Sequence, residues 1–279
     1  QGTLYGQSAM GGAIRYITKK PTAESLSGNV SSYVSSYGES DGFNYGLNGH
    51  VNIPLADNLS MRLVGYNFDN DGYVDIKGAF PQEDGNTEET SGGRLAVKWD
   101  ISDSVSLNYM YLNQRIEAGE PRVSETFDLT TTGPADLAPI DLENLVAQNL
   151  SLWLVEDEVH NLKLDVAFES FDLTAMVSKK EFLSQRLSQQ SGYLFYTGNQ
   201  QAFQLTPVET DSTSFEVRLV SRNDGSQFIS WIAGIWHGDS ELTVTDIIYH
   251  GGEDASFFGL FDVSDGFIYR DSLSATYNK

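Results

Sequence analysis

Gly38-Glu39-Ser40-Asp41-Gly42 has the G-x-S-x-G spacing that in a hydrolase puts a nucleophilic serine on a sharp turn. That chemistry needs a strand before the serine and a helix after it. Here the pentapeptide joins two amphipathic strands, so it reads as a surface hairpin tip. Asp69-Asn70-Asp71-Gly72 has the opening of a calcium loop, without later ligands or a bidentate glutamate at EF-hand spacing. His50, His160, His237 and His250 lie far apart, with no helical i, i+4 pair and no thiolate to complete a metal or haem site. No metal, cofactor or catalytic residue is therefore assigned.

Composition narrows the classes further. The 279 residues include no cysteine, which removes disulfide scaffolds, thiolate metal sites and cysteine nucleophiles. Seventeen Lys+Arg against 39 Asp+Glu leave a formal charge of -22, so a nucleic acid would be repelled rather than steered in. No apolar run reaches the length of a transmembrane helix. A mean hydropathy of -0.30 suits a transmembrane β-barrel, whose strands alternate lipid-facing and lumen-facing residues.

The elements that position these residues follow a period of two. Phe43, Tyr45, Leu47, Val51 and Ile53 share one face of a strand, with Asn44, Asn48, His50 and Asn52 on the other. Leu95, Val97, Trp99 and Ile101 stand opposite Arg94, Lys98 and Asp100. Leu162, Leu164, Val166 and Phe168 stand opposite Asn161, Lys163 and Asp165. With further strands at 26–36, 59–68, 105–116, 171–183, 214–221, 228–238 and 266–277, the pattern predicts about ten antiparallel strands of bilayer-crossing length.

Short turns at 56–58, 102–104, 169–170 and 223–225 alternate with long loops at 69–91, 117–159, 184–211 and 239–265. This one-sided sorting is expected of a barrel with periplasmic turns and extracellular loops. The first two long loops are strongly acidic, a vestibule for cationic ligands on one reading and a solvated surface on the other. Trp99, Tyr109, Tyr111, Trp153 and Trp236 are expected as a lipid-interface girdle.

Gln1-Gly2-Thr3-Leu4-Tyr5-Gly6, Gly11-Gly12-Ala13-Ile14 and Thr18-Lys19-Lys20-Pro21 resemble the end of the plug domain in TonB-dependent outer-membrane receptors. Arg62-Leu63 with Asp71-Gly72-Tyr73-Val74, Phe215-Glu216-Val217-Arg218-Leu219 and Trp231-Ile232-Ala233-Gly234 resemble that family as well. Between the glycines, Ile14, Tyr16 and Thr18 alternate with Arg15, Ile17 and Lys19 as in a strand that Pro21 ends. The resemblance implies the C-terminal end of a plug over residues 1–24 and the first part of a barrel of about twenty-two strands over 25–279.

It further implies a Gram-negative outer-membrane protein, monomeric when complete. Its function would be uptake of a scarce nutrient, most often a ferric siderophore, driven by TonB with ExbB and ExbD. Gly2, Tyr5, Gly6, Gly11 and Gly12 carry the plug signature. Arg62, Arg94, Lys98, Lys163, Glu216 and Arg218 are candidate lumen charges, either contacting the plug or solvating a wet lumen. Tyr73, Phe80, Phe127, Tyr193 and Tyr196 are candidate ligand contacts in the loops. The alternatives are a passive porin-like or adhesive barrel without TonB coupling, and a secreted hydrolase using Ser40.

Overall fold

The structure, a computed structural model, describes residues 16–38, 40–76, 82–119, 146–147, 151–189, 202–222, 228–250 and 267–278. The strands are β1 (Ser27–Ser35), β2 (Asn44–Ala56), β3 (Leu59–Asn70), β4 (Asp75–Ile76), β5 (Glu88–Ser102), β6 (Val105–Gly119), β7 (Val146–Ala147), β8 (Ser151–Ala167), β9 (Phe171–Gln189), β10 (Ala202–Ser221), β11 (Ile232–His250) and β12 (Phe267–Asn278). Ten of them form one antiparallel up-and-down sheet in the order β1-β2-β3-β5-β6-β8-β9-β10-β11-β12. β4 and β7 make a two-residue parallel bridge of their own. No helix occurs among the described residues. The sheet is open, since β1 and β12 each have a neighbour on one side only.

Directly paired residues share a face, so the register sorts the side chains. Val51, Leu63, Leu95 and Tyr111 form one row across β2, β3, β5 and β6 on the first face. Lys98, Asn108, Lys163, Met176 and Glu216 form a row across β5 to β10 on the second. Among the described residues nothing packs on the apolar face: Val30 is 74% exposed, Ile235 65% and Leu47 54%, while only Val74, Ala96 and Val155 are buried apolar residues. A water-soluble domain would cover such a face, so its stability requires an apolar surrounding.

Several sequence expectations need correction. Residues 16–20 form no strand and are exposed up to buried Pro21, while Ile14 and Arg15 lie outside the described residues. The stretches 151–159, 184–189, 202–211 and 239–250, expected as loop, are strand, and β8 to β11 reach 17 to 20 residues where about ten would cross a bilayer. Cross-strand partners explain this. Glu156 meets Arg115, and Lys180 Nζ lies 2.8 Å from Asp157 Oδ1, so the acidic run Glu156-Asp157-Glu158 is laid out on two faces of a strand. Trp153 and Trp236 belong to the polar face, as partners of Arg186 and Glu216, and do not join Trp99, Tyr109 and Tyr111 in a girdle. The turn at 223–225 lies outside the described residues.

Candidate functional site

The candidate site is the polar face of β2, β3 and β5 together with the segment that leads into β1. Asn52, on the polar side of β2, is fully buried. Its amide reads the backbone of that segment in both directions. Thr22 N donates to Asn52 Oδ1 at 2.9 Å, and Asn52 Nδ2 donates to the carbonyls of Thr22 at 2.8 Å and Ser25 at 3.1 Å. One β-branched residue thus receives from a side chain what a neighbouring strand would otherwise supply. Further along, Arg94 Nη2 donates to the carbonyl of Lys19 at 3.3 Å. Residues 19–25 are therefore strapped across the polar face.

The six candidate lumen charges all lie on this face and separate into two groups. Lys98 Nζ pairs with Asp100 Oδ2 at 2.5 Å, Lys163 Nζ with Asp165 Oδ1 at 2.8 Å, and Arg218 Nε with Glu216 Oε1 at 3.6 Å. Each pair joins positions two apart on one strand, the nearest same-face neighbours a strand has. Arg62 and Arg94 have no carboxylate partner among the described residues. Arg62 is the direct cross-strand partner of Asn52 and the diagonal neighbour of Arg94.

Asn52 was missed as a functional residue. On sequence it is one more polar position in an alternating strand, and its role depends on a contact thirty residues away. Replacing it with Leu removes all three bonds, and the freed backbone rehydrates at a cost of about 2 kcal/mol in local stability. Amide exchange at Thr22 in the N52L variant is expected to accelerate about thirtyfold, followed by deuterium uptake of the peptide containing it. An unchanged rate would mean that the strap is held elsewhere.

At the rim, Tyr73 is 44% exposed, rests edge-on against Tyr37 with ring centroids 5.1 Å apart, and donates its N–H to Asn86 Oδ1 at 2.7 Å. It belongs to a loop hub and is not brought to the polar face. Ser40 Oγ donates to Asp71 Oδ2 at 2.8 Å and accepts from Gly42 N at 3.2 Å, so the hairpin tip ties two loops together and presents no nucleophile. Asp69 Oδ2 is likewise engaged, by the Tyr45 hydroxyl at 2.5 Å. The plug-signature positions Gly2, Tyr5, Gly6, Gly11 and Gly12, and the loop aromatics Phe80, Phe127, Tyr193 and Tyr196, lie outside the described residues.

On the apolar face of β9 the apolar run ends at Val177, and the next two positions, Lys179 and Glu181, are ionisable and pair with His160, Glu158 and Asp211 on the neighbouring strands. Lys179 bonds Glu181 there, and the hydrogen bond and charge of Lys179 hold the Glu181 carboxyl below its usual range. Folding then favours deprotonated Glu181. That stabilisation is complete above the ordinary carboxylate range and is lost as pH falls through the depressed value. In K179Q the loss is expected to set in at higher pH, read from melting temperature across an acid titration. An acid limb identical to that of the unsubstituted protein would remove the pair from consideration.

Among solved structures the chain is similar to the RagAB peptide transporter, at 12% identity and TM-score 0.50, over 85% of this chain and 29% of that one. It is also similar to the siderophore receptor PiuA from Acinetobacter baumannii, at 7% identity and TM-score 0.46, over 94% of this chain and 47% of that one. A mutant of the ferric enterobactin receptor PfeA from Pseudomonas aeruginosa matches at 14% identity and TM-score 0.46, over 99% and 42%. What is shared is a fold. It is an all-β antiparallel up-and-down barrel sheet, left open here. The chain spans less than half the length of each of these proteins. No family model and no curated protein sequence matches.

Proposed function

We propose that the chain is part of the wall of a TonB-dependent outer-membrane receptor, with residues 1–24 as the end of its plug and 25–279 as the first part of its barrel. The observation that carries this reading is the strap. The segment that the sequence resemblance assigns to the plug lies on the polar face, which in a closed barrel faces the lumen, and it is fastened there by Asn52 and Arg94. A lumen of that width conducts water unless something fills it. The likeness in fold to a peptide transporter supports a transport role rather than an enzymatic one.

On this reading the apolar face meets the lipid, the long connections face outward, and TonB with ExbB and ExbD supplies the energy through parts upstream of Gln1. The cargo is a ferric siderophore, an assignment that rests on the resemblance of the first twenty-one residues. The test is uptake of radiolabelled ferric siderophores by cells carrying the complete gene, with and without TonB. Accumulation that stops when TonB is deleted supports the receptor. Equal uptake without TonB indicates a passive barrel, and no uptake of any iron chelate removes the siderophore.

A further inference from the structure

We infer that Arg62 and Arg94 together hold a carboxylate group on the polar face, beside the strap. The inference rests on the reading of that face as the lumen of a plugged receptor.

The first ground is the pairing of four other cations on this face. Lys98, Lys163, Lys180 and Arg218 each have a carboxylate within 2.5 to 3.6 Å. In a chain with 39 acidic residues this is the expected outcome. Arg62 and Arg94 depart from it. The polar side of β1, β2, β3, β5 and β6 offers two carboxylates, Asp100, which Lys98 occupies, and Glu88 at the far end of β5 opposite Asn70. The two guanidinium groups are diagonal neighbours, about 7 Å apart at their backbones, and their charges repel.

The second ground is an unmet donor. Arg62 Nε is shut off from solvent and has no hydrogen-bond partner among the described residues. A buried N–H of a charged group left unbonded is costly, so the arrangement is incomplete as it stands. The Nε edge of a guanidinium presents two parallel N–H groups at the spacing of the two oxygens of a carboxylate. Arg94, which commits one amine to the Lys19 carbonyl, keeps donors for the same anion.

The strap does not bring the missing charge. Its one acidic residue, Glu24, is exposed and forms no ion pair with either arginine, and residues 1–23 contain no Asp or Glu and add Arg15, Lys19 and Lys20. The carboxylate comes either from an acidic side chain elsewhere in the receptor or from an acidic solute passing through the lumen, and one experiment separates these. The complete receptor is prepared in detergent with R62K or R94K, and folding is checked by heat-dependent migration. Each variant is treated with a carbodiimide that joins an amine to a touching carboxylate, with and without 13C-succinate, and the products are mapped by mass spectrometry. Coupling of Lys98 to Asp100 serves as the internal standard.

An amide between the introduced amine and an acid elsewhere in the receptor, about tenfold above coupling at exposed Lys20, supports the site with an internal source. Succinate attached selectively at position 62 or 94 supports it with a solute source. Coupling at neither position while the standard forms overturns the inference. Uptake by the unsubstituted receptor is scored separately, so a receptor that transports without coupling loses only the anion site. One that couples without transporting loses only the uptake reading.

Discussion

Residues 1–279 expressed alone are expected to give no monodisperse species, only aggregate in any detergent that solubilises outer-membrane proteins. The sheet is open, with nine residues of β1 and twelve of β12 presenting one unpaired edge each. In hydrocarbon each unsatisfied backbone group costs several kcal/mol, and water is not there to replace the missing strand. Pairing with another copy, edge to edge, is the available remedy, and it does not terminate when both edges are free. Size-exclusion chromatography with light scattering is the measurement. A single monomeric peak that migrates faster unboiled than boiled would show that the two edges meet, and the open sheet would have to be abandoned for a small closed barrel.

In the full-length protein, L164R is expected to block assembly, whereas N161R, three residues away, is expected to assemble. Leu164 pairs with Leu107 and Ala175 on the apolar face, one row inside the Leu162–Val177 edge of the apolar band. Arginine on the lipid side of a barrel strand costs about 2–4 kcal/mol near the bilayer midplane. Asn161 faces the polar side, where it bonds Ser178 Oγ at 2.6 Å, and the substitution there loses about 1 kcal/mol with that bond while the charge stays in water. Urea-gradient unfolding in lipid vesicles reads both. Equal stability of the two variants would mean that the faces have been assigned the wrong way round, or that the sheet does not meet lipid.

The strand count, the alternation of faces and the short turns at 56–58, 102–104 and 169–170 were legible because each depends on residues two apart or on local turn chemistry. The expected strands at 59–68 and 105–116 match β3 and β6 at their turn-proximal ends for this reason. The distal halves of β8 to β11 were not legible. Glu156-Asp157-Glu158 reads locally as solvated loop, and only Arg115 and Lys180, each more than twenty residues away, make it a strand. Trp153 and Trp236 were misassigned because aromatic type suggested a membrane girdle while strand parity puts them on the polar face. At the candidate site the six charges were found by parity. Which of them lack an acidic partner, and that Asn52 holds the strap, depend on contacts that no local pattern encodes.

The grip of Asn52 on the strap has an evolutionary consequence. It hydrogen-bonds the backbone of Thr22 and Ser25 and neither of their side chains. Selection therefore has no purchase on the identity of residues 22–25 through this contact. Among natural variants the strap is free to drift in sequence, so long as no substitution alters its path, while the asparagine opposite it is held fixed. A lineage that lost the asparagine would be expected to have replaced it with another side chain carrying both a donor and an acceptor, and to have left the strap's own residues unconstrained.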